Sequence, residues 1–287
     1  RALPLGVPKV MVSTLASGDV KPYVGTKDIV MIHSVVDVAG INRVSARIYA
    51  NAVGAAVGMA ETPVPVLAEK PLVAASMFGN TTPLVTHCQH ALEARGYEVL
   101  VFHATGTGGQ TMEDLIREGF VNGVLDVTTT EWADELAGGV LSAGPTRLDA
   151  AAERGVPQVI APGCLDMVNF WARETVPDKF AGRRFYQWAP NITLMRTSPA
   201  ENAELGRILA EKANRSAGPV AFFLPLQGVS MLDAPGKEFW WPEADRALFD
   251  AIQQTRRPDI PAYELDCNIN DPAFAEAVTG QLLEFMK

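Results

Sequence analysis

The string His103-Ala104-Thr105-Gly106-Thr107-Gly108-Gly109-Gln110 carries the clearest chemical potential in this 287-residue chain. An apolar strand pattern, Glu98–His103, precedes it and a helical pattern, Gln110–Glu118, follows. Glycines let backbone N–H groups approach an anion, and a helix N-terminus behind them adds partial positive charge. Phosphate or carboxylate binding is therefore one reading. A tight strand-to-helix turn that needs positive φ and binds nothing is the other. Gly106 and Gly108 fit a GxGxxG spacing, but Thr111 stands at the third glycine position. Asp126 ends the next strand pattern about 20 residues on, where a ribose-binding acid would sit. No GxxxxGK[ST] phosphate loop occurs, since Gly236-Lys237 is followed by Glu238.

Similar polar groups recur after other strand patterns. Gly79, Asn80, Thr81 and Thr82 follow one; Thr128, Thr129, Thr130 and Glu131 follow another. Asp166 and Asn169 follow a third, and Ser13, Thr14, Ser17 and Gly18 do so near the start. Asp37 and Asn42 precede a small-residue helix. Each could cap a helix or make a turn. Their recurrence favours a cradle of amides and hydroxyls for an anionic small molecule. Asp233 and Lys237, in an irregular loop, could pair or touch a ligand.

Catalytic patterns are sparse. Neither GxSxG nor HExxH is present. His103, Asp126 and Asp166 are the candidates for acid/base work, each with a structural alternative. His87 and His90 lie three apart without a third metal ligand, and Cys164 has no identifiable partner base.

The elements that must position these groups alternate between short apolar runs and helical patterns, which predicts α/β architecture with parallel sheets covered by helices. In such sheets ligands sit outside the carboxyl ends of the strands. Strands are expected at Val7–Thr14, Asp28–Ser34, Leu72–Met77, Glu98–His103, Gly123–Val127, Gln158–Ala161, Ile192–Arg196, Val220–Leu224 and Tyr263–Cys267. Paired prolines in Thr62-Pro63-Val64-Pro65-Val66 suit a linker. The expected division is residues 1–62 as part of a first lobe, 63–69 as linker and 70–287 as a second lobe. The opening Arg1-Ala2-Leu3-Pro4 reads as the tail of a helix, so the chain is expected to be a fragment whose first lobe is incomplete.

A net charge of −9 argues against nucleic-acid binding, which needs clustered Lys and Arg. Cys88, Cys164 and Cys267 lack CxxC spacing, which fits a reducing, cytoplasmic setting. No apolar run approaches a membrane span. Aromatic residues near Trp240 suggest a homo-oligomer.

Several strings, taken in order, resemble the Tm-one-like (tobamovirus-resistance-like) ATP-binding domain family, otherwise uncharacterised. They are LGVPKVMVST with ASGD, SVVDVAGIN, MFGNTTP, VFHATGTGGQTMEDLIREGF, GVLDVTTTEWAD, PGCLDMVNF and GVSMLDAPGKEF. The resemblance implies two Rossmann-like lobes, with ATP and Mg2+ held by strand-end loops in the cleft between them. Carried onto this chain, the matching loop residues are Ser13, Thr14, Ser17, Gly18, Asp37, Asn42, Gly79, Thr81, Thr82, Gly106, Gly108 and Gly109.

Overall fold

The computed structural model describes residues 2–66 and 69–287. Arg1 and residues 67 and 68 of the expected 63–69 linker lie outside them. The chain divides into two compact units, Arg1–Glu69 and Lys70–Lys287.

In the first unit, β1 (Val10–Ser13), α1 (Lys21–Val24), β2 (Val30–His33) and α2 (Ser45–Glu61) follow one another. The two strands pair in parallel, Val10 opposite Val30 through Ser13 opposite His33. Asn42 starts α2: its Oδ1 accepts from the N–H groups of Val44 and Ser45. Its own N–H donates to Ser45 Oγ, so the cap is reciprocal.

The second unit runs β3 (Leu72–Met77), α3 (Thr82–Glu93), β4 (Glu98–His103), α4 (Thr107–Arg117), β5 (Gly123–Thr128), α5 (Glu131–Ala137), α6 (Asp149–Arg154) and β6 (Gln158–Gly163). It continues with β7 (Met167–Phe170), β8 (Phe185–Ala189), β9 (Ile192–Arg196), α7 (Pro199–Ala213), β10 (Val220–Pro225), α8 (Pro242–Thr255), β11 (Ala262–Leu265) and α9 (Pro272–Phe285). Six strands form a parallel sheet in the order β11-β10-β6-β5-β3-β4. Alternate side chains explain why both faces are covered. Val73, Ala75, Val159, Ala161, Ala221 and Phe223 pack with Leu84, Leu92, Phe274 and Leu282 of α3 and α9. Their neighbours face the other way: Ala74 and Val124 meet Met112 and Ile116 of α4. Ile160, Phe222 and Leu224 meet Leu205 and Leu209 of α7 and Leu248 of α8. Strands buried on both faces read as unbroken apolar runs, which is how the sequence shows them. Among the described residues, no helix is long and apolar enough to cross a membrane.

Two differences from the sequence reading affect the site. Ile192–Arg196 does not join the parallel sheet; it is the centre of an antiparallel sheet, β7-β9-β8. Helix α4 begins at Thr107, so Gly108 and Gly109 lie in its first turn and only Gly106 is loop.

Candidate functional site

The chain leaves β3 to form β4 and then passes back to β5 on the other side of β3. Such a reversal opens a crevice at the strands' carboxyl ends. Here the floor of that crevice is closed by short polar side chains. Thr81 Oγ1 lies 2.8 Å from Thr128 Oγ1 and accepts from the Phe78 N–H. Ser76 Oγ donates to Asp126 and accepts from the Thr128 N–H. Asn80, Thr81, Thr128, Thr129 and Thr130 are fully buried.

The open space lies beside it, at the ends of β3 and β4, as a cavity of about 400 Å³. Phe78, Gly79, His103 and Thr105 line it from the strand-end loops. The small sheet supplies the facing wall with Asn169, Phe170, Trp188, Ile192 and Leu194, and Trp171 extends it. Trp171 and Trp188 are about half exposed, unusual for indole rings. The Phe78 and His103 rings sit 5.4 Å apart. Asn169 is fixed by Asp134 of α5, which accepts from its N–H at 2.8 Å and from its Nδ2 at 2.7 Å. Burial pushes Asp134 up to about 7. Asn169 Oδ1 has no partner among the described residues.

Under the glycine string lies a buried charge cluster. Arg147 reaches both oxygens of Asp126 at 2.5 Å, Glu131 Oε2 at 2.7 Å and Glu113 Oε1 at 3.3 Å. Glu113 also accepts from the N–H groups of Leu148 and Ala150. Burial pushes Glu113 and Glu131 upward against the pull of the guanidinium. The backbone N–H groups of Gly106 and Gly109 donate to Glu131 Oε1 at 2.7 and 3.1 Å. Gly106 holds φ at +83°, and a Cβ there would stand 2.6 Å from Ser142 O.

At Gly108 a Cβ would meet His103 O at 1.8 Å. A backbone atom cannot swing aside, so Gly108→Ala must lift the first turn of α4 off the end of β4. The expected loss is about 3 kcal/mol, the upper end of ordinary overpacking. Urea denaturation checks this, and a midpoint equal to the parent's would contradict the packing described.

A second cluster surrounds Arg196. Its Nη2 lies 2.7 Å from Asp245 and 3.4 Å from Asp233, and Nε donates to Phe239 O. Asp166 stands nearby, accepting from Ser230 Oγ at 2.8 Å. All these side chains are buried.

These placements sort the sequence candidates. Gly79 and His103 line the cavity; Thr82 is exposed and donates to Phe78 O. Asp126 is no ribose ligand or free acid, because Arg147 occupies both of its oxygens. Asp166 is sealed beside Ser230 and is not among the cavity-lining residues. Burial, with Asp166 beside it, pushes the Cys164 thiol well above its usual range, unlike an activated nucleophile. Asp233 pairs with Arg196 while Lys237 is exposed, so of the two readings of that loop the Asp233–Lys237 pairing does not form. In the first unit, Ser13 Oγ accepts from Leu15 N–H, Ser17 Oγ donates to Thr14 O, and Gly18 closes that turn. Asp37 is exposed and Asn42 caps α2. Trp240 and Trp241 are half-buried; the exposed indoles are Trp171 and Trp188. Among the described residues, no group of three or more His, Cys, Asp or Glu could hold a metal ion.

Sequence reading missed Trp171, Trp188 and Arg147. A signal for the last was present. GVLDVTTTEW sets two carboxylates in an otherwise uncharged strand-and-turn segment, and buried carboxylates require a partner.

Comparison with known proteins supplies kinship. Residues 70–286 match "Uncharacterised protein family (UPF0261) C-terminal domain", and residues 1–65 match the N-terminal domain of the same family. A UPF0261 protein of Clostridium tetani is 54% identical over 289 residues, covering 100% of this chain and 72% of its own length. One from Rhizobium meliloti is 53% identical over 98% of this chain and 71% of its own length. The ToMV resistance protein Tm-1(GCR237) of Solanum lycopersicum is 44% identical over 99% of this chain and 39% of its own. Both domains and these identities lead to one conclusion: the chain belongs to the UPF0261 family.

Proposed function

We propose that the second unit binds a nucleotide, with ATP the leading candidate, or a similarly built phosphorylated metabolite. The observation that carries this reading is the aromatic-walled cavity at the carboxyl ends of β3 and β4. Its volume of about 400 Å³ suits a ring-bearing small molecule. Phe78, Trp171 and Trp188 offer faces for stacking, and His103, Thr105 and Asn169 offer the few polar contacts that fix orientation. No Lys or Arg is among the lining residues, so the ring belongs inside and the phosphates toward the mouth. Magnesium would arrive on those phosphates, since it commonly keeps waters and needs few protein ligands.

Isothermal titration with Mg-ATP tests the proposal. Trp188→Ala is expected to weaken binding by about tenfold, a base–aromatic stack being worth roughly 1–3 kcal/mol. Absence of heat with every nucleotide at millimolar concentration would retire it.

One observation favours a second reading. His103 stands in the cavity wall, where an imidazole can move a proton to or from a bound metabolite. An enzyme acting on a small phosphorylated or carboxylated metabolite would lose turnover in His103→Ala while keeping its ligand.

A further inference from the structure

The glycine string already holds an anion, and the anion is part of the chain. Glu131 Oε1 takes the amides of Gly106 and Gly109, and Oε2 takes Arg147 Nε. Glu131 and Arg147 are each about 99% buried. A Cβ on Gly109 would stand 2.1 Å from the carboxylate, so no second anion fits against that amide while Glu131 is there. Converging amides at a helix start are the usual seat of a ligand's phosphate. Here that seat is filled by a side chain 22 to 25 positions further along.

We infer that Glu131 is the resident anion of this string, and that the string serves the cavity by holding His103 and Thr105 in its wall. Gly106 follows Thr105 directly, and Gly108 packs on the carbonyl of His103. Anchoring Gly106 and Gly109 to one carboxylate therefore fixes the turn between them and the end of β4. Glu131 is a positioning residue, touching no ligand itself. Phosphates of a ligand in the cavity then lie away from the amides of Gly106 and Gly109. This last step rests on the nucleotide reading above; the resident anion does not.

The test uses isotope-labelled full chain, following the amide signals of Gly106 and Gly109 during titration with pyrophosphate, which lacks a ring, and with adenosine, which lacks phosphate. Both amides are expected to stay in place with pyrophosphate. Glu131→Gln should move both signals and weaken adenosine binding several-fold without creating a pyrophosphate site. Pyrophosphate that shifts both amides in the parent protein overturns the inference. So does pyrophosphate binding about tenfold tighter to Glu131→Gln than to the parent. If that variant fails to fold, the parent titration decides alone. Adenosine that binds nowhere removes the role for the cavity wall, while the Mg-ATP titration decides the nucleotide reading and the amide signals still decide whether Glu131 is the resident anion.

Discussion

Arg147→Met is expected to remove about 3–5 kcal/mol of stability, the usual cost of taking one partner from a buried ion pair. Total stabilities of about 5–15 kcal/mol mean such a loss brings the chain close to unfolding. The reason is local. One guanidinium serves three buried carboxylates, with distances of 2.5 Å to Asp126, 2.7 Å to Glu131 and 3.3 Å to Glu113. Without it, Asp126 keeps only Ser76, and Glu131 keeps the two glycine amides. Asp126 and Glu131 must then take up a proton or admit water, whereas Glu113 keeps Arg117 at 3.4 Å and the amides of Leu148 and Ala150. Arg147→Lys should recover only part of the loss. An ammonium keeps the charge, but it cannot fork onto both oxygens of Asp126 while also reaching Glu131. Urea denaturation measures both variants. Arg207→Ala is the control: its partners Glu204 and Glu211 are exposed, and no change in midpoint is expected. An Arg147→Met midpoint indistinguishable from that control would refute the account of the cluster.

The second large effect is a fall in stability as pH rises from about 4 to about 8. Burial, with Asp233 nearby, pushes Asp166 up to about 7 and Asp245 up to about 8, though Arg196 pulls both down. Asp134 is raised to about 7 by burial. In the unfolded chain such groups titrate near 3.8. Between those values the folded state holds protons that the unfolded state has released. The stabilisation is therefore complete below the unfolded value and is lost as pH rises through 7 and 8. Asp28, Glu201 and Glu204 shift downward and act with the opposite sign, but Asp28 and Glu204 are largely solvated. The melting temperature should drop across that range, and Asp245→Asn should flatten the drop by supplying a permanently uncharged side chain. A melting temperature that stays level or climbs over this range would contradict the assignment.

The parallel sheet was legible because its physics is local. Leu72–Met77, Glu98–His103 and Gly123–Val127 are apolar runs separated by helical patterns, and the structure pairs all three in one sheet. The antiparallel sheet was not legible. Phe185–Ala189 is half-buried, with Gln187 inside it, so it lacks the unbroken apolar run that marked the other strands, although its connection to β9, Pro190-Asn191, is itself a turn signal. That omission hid the aromatic wall, since Trp171 and Trp188 look like ordinary apolar residues until their sheet faces the ends of β3 and β4.

The candidate site divides in the same way. Sequence alone determined that polar, glycine-bearing turns would follow parallel strands, since strand period, helix starts and the carboxyl-end rule depend only on neighbours along the chain. It did not determine what those turns hold. The amides of Gly106 and Gly109 could face a phosphate or a carboxylate with equal chemical sense. Glu131 wins because the fold brings α5, Arg147 and the start of α4 into one buried volume. Buried charges are satisfied by whichever partners are nearest in space, and only the tertiary structure fixes those distances.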